Sequence, residues 1–519
     1  MRTQIFFGEE ARKKLLDGME KVFKAVSPTL GSHGRNAALT RWGRPLIIND
    51  GVTIARKIVL EDGGENMGAD FIKEVAERTN EEAGDGTSTS VILSYCLVTE
   101  GFKILKANPE LSPLKLRKEL EAALELALKK LSDRAIPIKD DAELVKVAKI
   151  SSDNDTIAEL VTTAYKSAGE TGRVVVEESQ GLKTVVESIQ GMEVEGGFVS
   201  PYFVTNPEKG EAVLDNPFVL VTDKTFVLQN DVLALMEELK KNGYSSLVIV
   251  CKDAQAEALA CMVGNKLKGI FNVVVVKAPH DKEMLKDLAN LCGKEEAWSD
   301  ENTMKKPGQH NCSRIQKVVA TKDKTLFIKG DRNDTEKSIY NVRVETLKQL
   351  IKDSMHEDKL RYEDRLARLT GAVVLIKVGA ASSTEIVYER LKIEDAVNAV
   401  KSAMKEGYVT GGGITLSDVT MEVEAELKTG GATLLAIASE YPIKTLISNS
   451  GGKYEASKIN ATDGFNTDTG KYETNLMEKG IIDPVLVEKR ALTNAVSLAG
   501  LILTLETLVV DLPEKTLQQ

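Results

Sequence analysis

A short run of glycine, aspartate and hydroxyl residues has the chemistry of a metal–phosphate site. It contains one carboxylate, Asp85, followed in order by Gly86, Thr87, Ser88 and Thr89. Glycine lets the backbone approach a ligand closely, and N–H groups in the first turn of a helix attract anions. The carboxylate suits a cation, and the amides and hydroxyls suit phosphate oxygens. Alone, the pattern fits a glycine-rich loop with a Ser/Thr helix cap equally well.

Two further carboxylates could serve the same site. Asp50 precedes a glycine at the end of a predicted strand, and Asp395 is expected near the start of a helix. With Asp85 holding a metal ion, Asp50 or Asp395 could orient an attacking water. Each residue alone fits a helix cap or an Asp–Gly turn at least as well.

Two glycine-containing segments could complete a nucleotide site. Thr29, Leu30 and Gly31 form a predicted helix exit, where glycine allows a tight turn over a planar or anionic group. Gly411 and Gly412, in a triple glycine, permit close backbone contact with a ribose or a base. The sequence contains no G-x-x-x-x-G-K-[ST] motif, which argues against a standard P-loop NTPase.

Composition excludes several functional classes. The chain has 519 residues and a net charge of −10, so no basic nucleic-acid surface is indicated. Its most apolar stretch, 498–510, contains a glutamate and is too short to span a membrane. The five cysteines lack C-x-x-C spacing and are interpreted as free thiols of a cytoplasmic protein, although Cys292 with His310 or Cys312 could be imagined as metal ligands.

Hydrophobic periodicity predicts helical ends and an α/β middle. Residues 9–26 and a stripe of leucines at 116, 120, 124 and 128 predict amphipathic helices, and residues 37–48 predict a hairpin. From about residue 170, compact β runs at 173–176, 218–221, 246–250 and 272–276 begin. Helices predicted at 231–241 and 254–268 alternate with the later runs, which favours a mainly parallel sheet. Helical periodicity returns after about residue 345.

Eight segments in order resemble the motifs of group I chaperonins, the GroEL and mitochondrial sixty-kilodalton heat-shock kind. Residues 29–36 look like TLGPKGRN, 49–56 like KDGVSVAR, 65–69 like ENMGA and 83–89 like AGDGTTT. Residues 198–203 look like YLSPYF, 411–413 match the triple glycine, 480–484 look like GILDP, and 510–513 close the series. The resemblance spans about residues 3–513 and is highly specific.

The resemblance implies a multidomain α and α/β fold of the chaperonin type. The expected domains are a mainly α-helical equatorial domain (1–132 and 407–519), a small α/β intermediate domain (133–190 and 371–406) and an α/β apical domain (191–370). It also implies an ATP-dependent chaperone that captures non-native polypeptides. Such proteins form seven-membered rings, single or double, and work with a small co-chaperonin lid.

The resemblance assigns roles to the site residues. Asp85 is expected to hold Mg²⁺, and Asp395, assisted by Asp50, to activate water once its domain closes on bound ATP. The other expected ATP contacts are Thr29, Leu30, Gly31, Gly86, Thr87, Ser88, Thr89, Ile150, Ser151, Gly411, Gly412, Asn466, Ile481 and Asp483. Asn49 replaces the usual lysine beside the phosphate and monovalent-cation site, which puts K⁺ dependence in doubt.

Client binding is expected in the middle of the chain. The residues assigned to it are Phe198, Tyr202, Phe203, Leu233, Met236, Leu259 and Val263. Without the resemblance, the two helical stripes among them are better interpreted as packing on the sheet. A rival hypothesis is a relative that keeps the fold and binds or scaffolds without hydrolysis, against which the presence of Asp50, Asp85 and Asp395 argues.

Overall fold

The computed structural model describes residues 3–41, 44–169, 173–179, 181–207, 209–299, 307–354 and 356–511. The helices are α1 Gly8–Val26, α2 Gly51–Lys57, α3 Gly63–Ala83, α4 Thr87–Ala107, α5 Pro113–Asp133, α6 Asp141–Ser152, α7 Asp155–Ala168, α8 Asn230–Lys241, α9 Ala256–Leu267, α10 Lys282–Cys292, α11 Asp334–Asp353, α12 His356–Thr370, α13 Ser383–Glu406, α14 Ile414–Leu427, α15 Gly430–Ser439, α16 Tyr441–Asn449 and α17 Val485–Ile502. The search for membrane-spanning segments covered the described residues, and none of their helices is long and apolar enough to cross a bilayer.

The strands are mostly short. They are β1 Thr3–Phe7, β2 Ala37–Arg41, β3 Arg44–Ile48, β4 Arg173–Glu178, β5 Val185–Glu195, β6 Ala212–Asp215, β7 Phe218–Val221, β8 Thr225–Phe226, β9 Ser246–Cys251, β10 Asp253–Ala254, β11 Asn272–Lys277, β12 Ser313–Arg314, β13 Lys317–Ala320, β14 Lys324–Ile328, β15 Ala372–Val378, β16 Tyr408–Thr410, β17 Gly464–Asn466, β18 Lys471–Glu473, β19 Ile482–Pro484 and β20 Thr507–Asp511. The predicted hairpin of residues 37–48 is confirmed as β2 and β3, although its turn, 42–43, lies outside the described residues.

The chain divides into two compact units. Unit 1 comprises residues 1–163, 178–184 and 378–519, and unit 2 comprises 164–177 and 185–377. Unit 1 is therefore built from both ends of the chain, as the return of helical periodicity after residue 345 predicts. The finer division into equatorial, intermediate and apical domains stays a prediction.

Unit 1 is a helical assembly around one large apolar core. Helices α1, α3, α4, α5, α15 and α17 supply most of the buried side chains. Strands β1 and β20 pair antiparallel, with Ile5 opposite Val509. Along α5 the buried face follows Leu116, Leu120, Ala123, Ala127 and Leu131. The strict four-residue leucine spacing was thus an imperfect guide, because a helix of 3.6 residues per turn carries that row gradually off the core face.

Unit 2 contains the predicted mainly parallel sheet. Strands β11, β9 and β7 are parallel neighbours, and β12 closes the edge antiparallel to β7. A second sheet of six strands has the order β4-β15-β5-β14-β13-β6. The helix predicted at 254–268 begins later, at Ala256, because Asp253 and Ala254 first pair with β8 as strand β10.

A buried ion network joins three helices of unit 2. Asp287 on α10 is fully buried and accepts hydrogen bonds of 2.7 Å from Arg343 Nε on α11 and 2.8 Å from Arg365 Nε on α12. Two guanidinium groups around one carboxylate satisfy its oxygens, which an isolated buried charge could not achieve. The network therefore fixes how α10, α11 and α12 pack.

Candidate functional site

The loop between α3 and α4 holds Asp85 at the start of a helix, as its sequence predicts. Gly84 and Gly86 both have left-handed backbones, with φ of 72° and 78°, a conformation that glycine adopts without strain. The carboxylate of Asp85 accepts hydrogen bonds from its neighbours, 2.6 Å from the Gly86 N–H and 2.9 Å from Ser151 Oγ. Helix α4 then begins at Thr87, so three hydroxyl residues occupy its first turn.

A cavity of about 270 Å³ opens beside this loop, wholly within unit 1. Of the residues predicted to contact a nucleotide or activate water, those that line it are Thr29, Leu30, Gly31, Asp50, Asp85, Gly86, Thr87, Ser88, Thr89, Ile150, Ser151, Asp395, Gly412, Ile481 and Asp483. Asn49 lines it too. Segments far apart in sequence therefore converge on one space, although their ligand roles remain predictions.

The N-termini of α2 and α4 meet at this cavity. Asp50 caps α2, accepting hydrogen bonds from the N–H groups of Val52 and Thr53. A Cβ at Gly51 would lie only 2.5 Å from Ser88 Oγ, so glycine is what allows the two helix starts to approach. The N-terminus of α4 favours an anionic ligand, because it carries unpaired N–H groups and partial positive charge. At the start of α2, the N–H groups of Val52 and Thr53 are already bonded to Asp50.

Asp395 lies in the middle of α13, so its predicted place at a helix start is wrong. The helix begins twelve residues earlier, where the Ser382 side chain accepts a hydrogen bond from the Glu385 N–H. The apolar residues around Asp395 belong to the interior of this helix, and the residue that caps its N-terminus is Ser382. A central position fixes the carboxylate more rigidly than a helix end would.

Asp395 and Asp85 act on each other electrostatically. Burial, followed by the charges of Asp85 and Asp50, raises the pKa of Asp395 well above its ordinary value. Burial also raises the pKa of Asp85, while the Gly86 N–H, Ser151 and Lys392 act in the opposite direction. Because the negative charges of these carboxylates repel one another, they are not readily ionised together. A bound cation would stabilise their ionised forms.

Much of the remaining cavity lining is apolar, and Asp483 lies among these apolar residues. Asp483 on β19 accepts hydrogen bonds from the N–H groups of Gly413 and Gly412, yet burial raises its pKa to about 6. The apolar lining includes Ile414, Leu416, Ile443, Leu446, Ile447, Ile459, Phe465 and Ile481. Most of these residues were not predicted, because singly they look like core residues. Their arrangement suits the flat faces of a base better than a charged group.

Two predicted contacts do not line the cavity. Gly411 packs against β19, where a Cβ would lie 2.8 Å from the carbonyl carbon of Ile482. Asn466 is bonded within the β17–β18 hairpin, because its side chain donates to Glu473 at 3.2 Å and accepts from the Asp468 N–H at 3.0 Å. Both residues support the wall, and their neighbours reach the cavity.

Sequence reasoning missed the cations of the site. Lys149 and Lys392 line the cavity. Lys149 forms an ion pair of 2.7 Å with Asp155, whereas Lys392 has no ion pair within 4 Å among the described residues. Burial raises the pKa values of Asp85, Asp153 and Asp395, and the charge of Lys392 partly offsets that rise at all three carboxyl groups. The position of Lys392 one helical turn before Asp395 was the available signal.

The predicted client-binding residues in unit 2 have unequal exposure. Tyr202 is 64% exposed, and Phe198, Leu233, Leu259 and Val263 are partly exposed. Phe203 and Met236 are 0% and 3% exposed and belong to the core. The structure places these two residues in the core, which corrects their assignment to an exposed surface; Met236 lies on the buried face of α8 with Val232, Leu235 and Leu239.

Other apolar side chains at the ends of α8 and α9 are exposed and were not predicted. They are Val227, Leu228, Leu267 and Ile270. Lys266 on α9 donates hydrogen bonds to the carbonyl oxygens of Phe203 and Val204, which holds the Tyr202 segment against α9. Exposed apolar residues that form a contiguous patch commonly mark a binding surface.

Comparison with known proteins agrees with the geometry. Residues 22–513 match the model of the TCP-1/cpn60 chaperonin family. The structure is similar to the chaperonin gp146 from the bacteriophage EL 2 (Pseudomonas aeruginosa), crystallised in the presence of ATP-BeFx. Crystal form II gives a TM-score of 0.69 and form I a TM-score of 0.64, each with 20% identity over 98% of this chain and 99% of that chain. The predicted chaperonin fold is thereby confirmed.

Proposed function

Because this chain belongs to the TCP-1/cpn60 chaperonin family, we propose that it is a chaperone driven by ATP hydrolysis in the unit 1 cavity. The observation that carries the proposal is that Asp85, Asp395 and the first turn of α4 line one cavity. The N-terminus of α4 suits phosphates, and the apolar lining around Asp483 suits a nucleoside. The gp146 chaperonin of similar fold was crystallised with ATP-BeFx, which supports the same ligand class here.

The donor set fits Mg²⁺ bound together with a nucleotide. The described residues contain no group of three or more His, Cys, Asp or Glu side chains that could hold a metal ion by themselves. Mg²⁺ is usually held by one or two carboxylates with phosphate oxygens and waters, so Asp85 alone is sufficient. When bound, the ion would neutralise phosphate charge. At Asn49, which lines the cavity, an amide replaces an ammonium group, so K⁺ dependence stays open.

In this proposal Asp395 orients and deprotonates the attacking water, with Asp50 assisting. A carboxylate whose pKa is raised is a stronger general base, because it holds the proton more strongly. Asn398 and Ser402, on the same helix, donate hydrogen bonds of 3.2 and 3.1 Å to the carbonyls of Gly84 and Ala83. These contacts would hold Asp395 in position over the loop that carries Asp85.

Client capture is proposed at the exposed residues beside α8 and α9. Tyr202, Leu259, Val263 and Leu267 offer apolar contact without directional bonds, which suits non-native polypeptides of many sequences. Leu233 and Phe198 extend the same area, whereas Phe203 and Met236 support it from the core. Assembly into seven-membered rings, a co-chaperonin lid and a cytoplasmic location belong to this proposal as predictions from the family.

Steady-state phosphate release by the wild type, Asp395→Ala and the exposed control Lys405→Ala tests the proposal. We expect the wild type and the control to turn over ATP, and Asp395→Ala to lose roughly 10²- to 10⁴-fold in rate while still binding nucleotide. Wild-type turnover no faster than that of Asp395→Ala would favour the non-hydrolysing binding or scaffolding protein.

Two further experiments test the assembly and the partner. Electron micrographs of the particles report the number of rings. Refolding of a denatured protein with and without a co-chaperonin lid tests whether a lid is needed.

A further inference from the structure

Glu488 is a buried acid that lacks a partner in the protein. It lies near the start of α17 and is 6% exposed. Both carboxyl oxygens are buried, and neither has a hydrogen-bond partner among the described residues. A buried polar group without a hydrogen bond destabilises a protein, so native structures nearly always satisfy such groups. The missing partner is therefore expected from outside the chain.

The side chain lines the cavity of unit 1. Glu488 borders this space together with Asp483 and Val487. The adjacent Val487 packs beneath the phosphate loop, because its Cγ1 lies 2.5 Å from where a Cβ on Gly86 would be. This turn of α17 thus forms part of the cavity wall, and a ligand in the cavity is the nearest source of a partner.

Asp483 does not itself satisfy Glu488. Its carboxylate is held by the N–H groups of Gly412 and Gly413, among apolar residues of the cavity lining. Its charge acts on Glu488, since burial and then Asp483 raise the pKa of Glu488 well above the usual value. The raised pKa favours the protonated form of Glu488, a carboxylic acid with one O–H donor and one carbonyl acceptor. In that form it does not repel an anionic ligand.

We propose that Glu488 is a nucleoside-binding residue, whose carboxyl group hydrogen-bonds the sugar or base of the nucleoside triphosphate bound in this cavity. The inference rests on the proposed nucleotide site and adds to it a specificity contact near Asp483. Phosphate is already served by the hydroxyls and amides in the first turn of α4, which leaves the Glu488 carboxyl group for the nucleoside. A neutral acid offers the paired donor and acceptor that sugar hydroxyls and base edges need.

The test is equilibrium binding of a non-hydrolysable ATP analogue and of inorganic tripolyphosphate, each with Mg²⁺, by calorimetry. Glu488→Gln keeps a donor and an acceptor, Glu488→Leu removes both, and Glu125→Leu changes an exposed glutamate of α5 as the control. We expect Glu488→Gln and the control to bind the analogue within about threefold of wild type. We expect Glu488→Leu to bind the analogue about tenfold more weakly, because a buried hydrogen bond to the ligand is lost. Its affinity for tripolyphosphate should be unchanged.

The outcomes separate this inference from the proposed function. If wild type binds the analogue and Glu488→Leu binds it equally well, Glu488 is only a buried structural acid and the inference is overturned. Equal weakening toward tripolyphosphate would also overturn it, because the contact would then be to phosphate. If the wild type binds neither ligand, both the proposed function and the inference fail. If circular dichroism shows that the Glu488→Leu protein is unfolded, Glu488→Met is used in its place.

Discussion

The side-chain amide of Asn398 donates a hydrogen bond of 3.2 Å to the carbonyl oxygen of Gly84. This bond joins the helix that carries Asp395 to the loop that carries Asp85. Each carboxylate lies close to the bond in sequence: Asp395 three residues before Asn398, and Asp85 directly after Gly84. The distance between the two carboxylates therefore depends on a contact that touches neither of them.

Asn398→Ala is expected to lower ATP turnover more than ATP binding. Loss of one buried hydrogen bond costs about 1 kcal/mol, and a less fixed α13 positions Asp395 less often over the phosphate end. We expect kcat to fall by about five- to tenfold with little change in KM. Phosphate release over a range of ATP concentrations measures both constants. Lys405→Ala, on the exposed side of the same helix, should change neither, and an unaltered kcat in Asn398→Ala would refute the positioning role.

Asp483 is expected to make the nucleotide-free protein less stable as pH rises from about 4 to 6. Its pKa is about 6 in the folded state against roughly 3.9 when unfolded. The folded state therefore holds a proton that the unfolded state has already lost, and stability falls with rising pH across this window. Two pKa units correspond to about 3 kcal/mol of the free energy of unfolding.

Denaturant unfolding of wild type and Asp483→Asn at several pH values measures this contribution. The difference in unfolding free energy, Asp483→Asn minus wild type, should increase between pH 4 and 6 and then level off. Asp133→Asn, at an exposed position on α5, is the matched control for replacing a carboxyl by an amide. A flat difference for Asp483→Asn would show that its carboxyl titrates normally.

Gly51→Ala is expected to weaken nucleotide binding. The added Cβ would lie 2.5 Å from Ser88 Oγ and 3.0 Å from Thr87 Oγ1, so the first turn of α4 must shift. Overpacking of this kind costs about 1–3 kcal/mol, which corresponds to roughly tenfold or more in affinity. Calorimetric titration with an ATP analogue measures the effect.

Gly264→Ala provides the control for the glycine substitution. Gly264 lies within α9, and a Cβ there meets nothing within 4 Å. Alanine is favoured over glycine in a helix by about 0.5–1 kcal/mol, so this variant should unfold at a slightly higher temperature and bind nucleotide normally. Equal nucleotide affinities for the Gly51→Ala and Gly264→Ala proteins would contradict the crowding argument.

Tyr202 and Phe203 are adjacent, and their alanine variants should behave oppositely. Tyr202 is mostly exposed, so Tyr202→Ala should leave stability within about 0.5 kcal/mol and reduce capture of a denatured protein. Phe203 is fully buried, so Phe203→Ala should destabilise unit 2 by about 3–5 kcal/mol. Thermal unfolding and light scattering of an aggregating client separate the two effects. Unchanged capture by Tyr202→Ala would remove this residue from the proposed client surface.

Much of the site could be predicted because its residues occur in short, chemically distinctive motifs. Asp85, with its neighbouring glycines and hydroxyl residues, predicts a helix N-terminus, and α4 begins there, at Thr87. The sequence identifies Asp395 as a candidate carboxylate before the resemblance is considered, but it predicts the wrong place in the helix, since apolar spacing locates a helix better than its start. The prediction that Asn466 lines the cavity was wrong for a related reason. A motif identifies the segment that forms the wall of the site, but the backbone direction decides which of its side chains faces the cavity.

Local sequence was sufficient to predict the helix N-terminus after Asp85, the glycine turns beside it, the β runs of the middle segment and the family. The tertiary structure alone decided which groups share an environment. Glu488 and Lys392 carry no motif, and they become notable only because folding buries one without a partner and brings the other beside three carboxylates. Burial and electrostatic interaction depend on distance in space, and residues separated by hundreds of positions acquire that distance only in the folded chain.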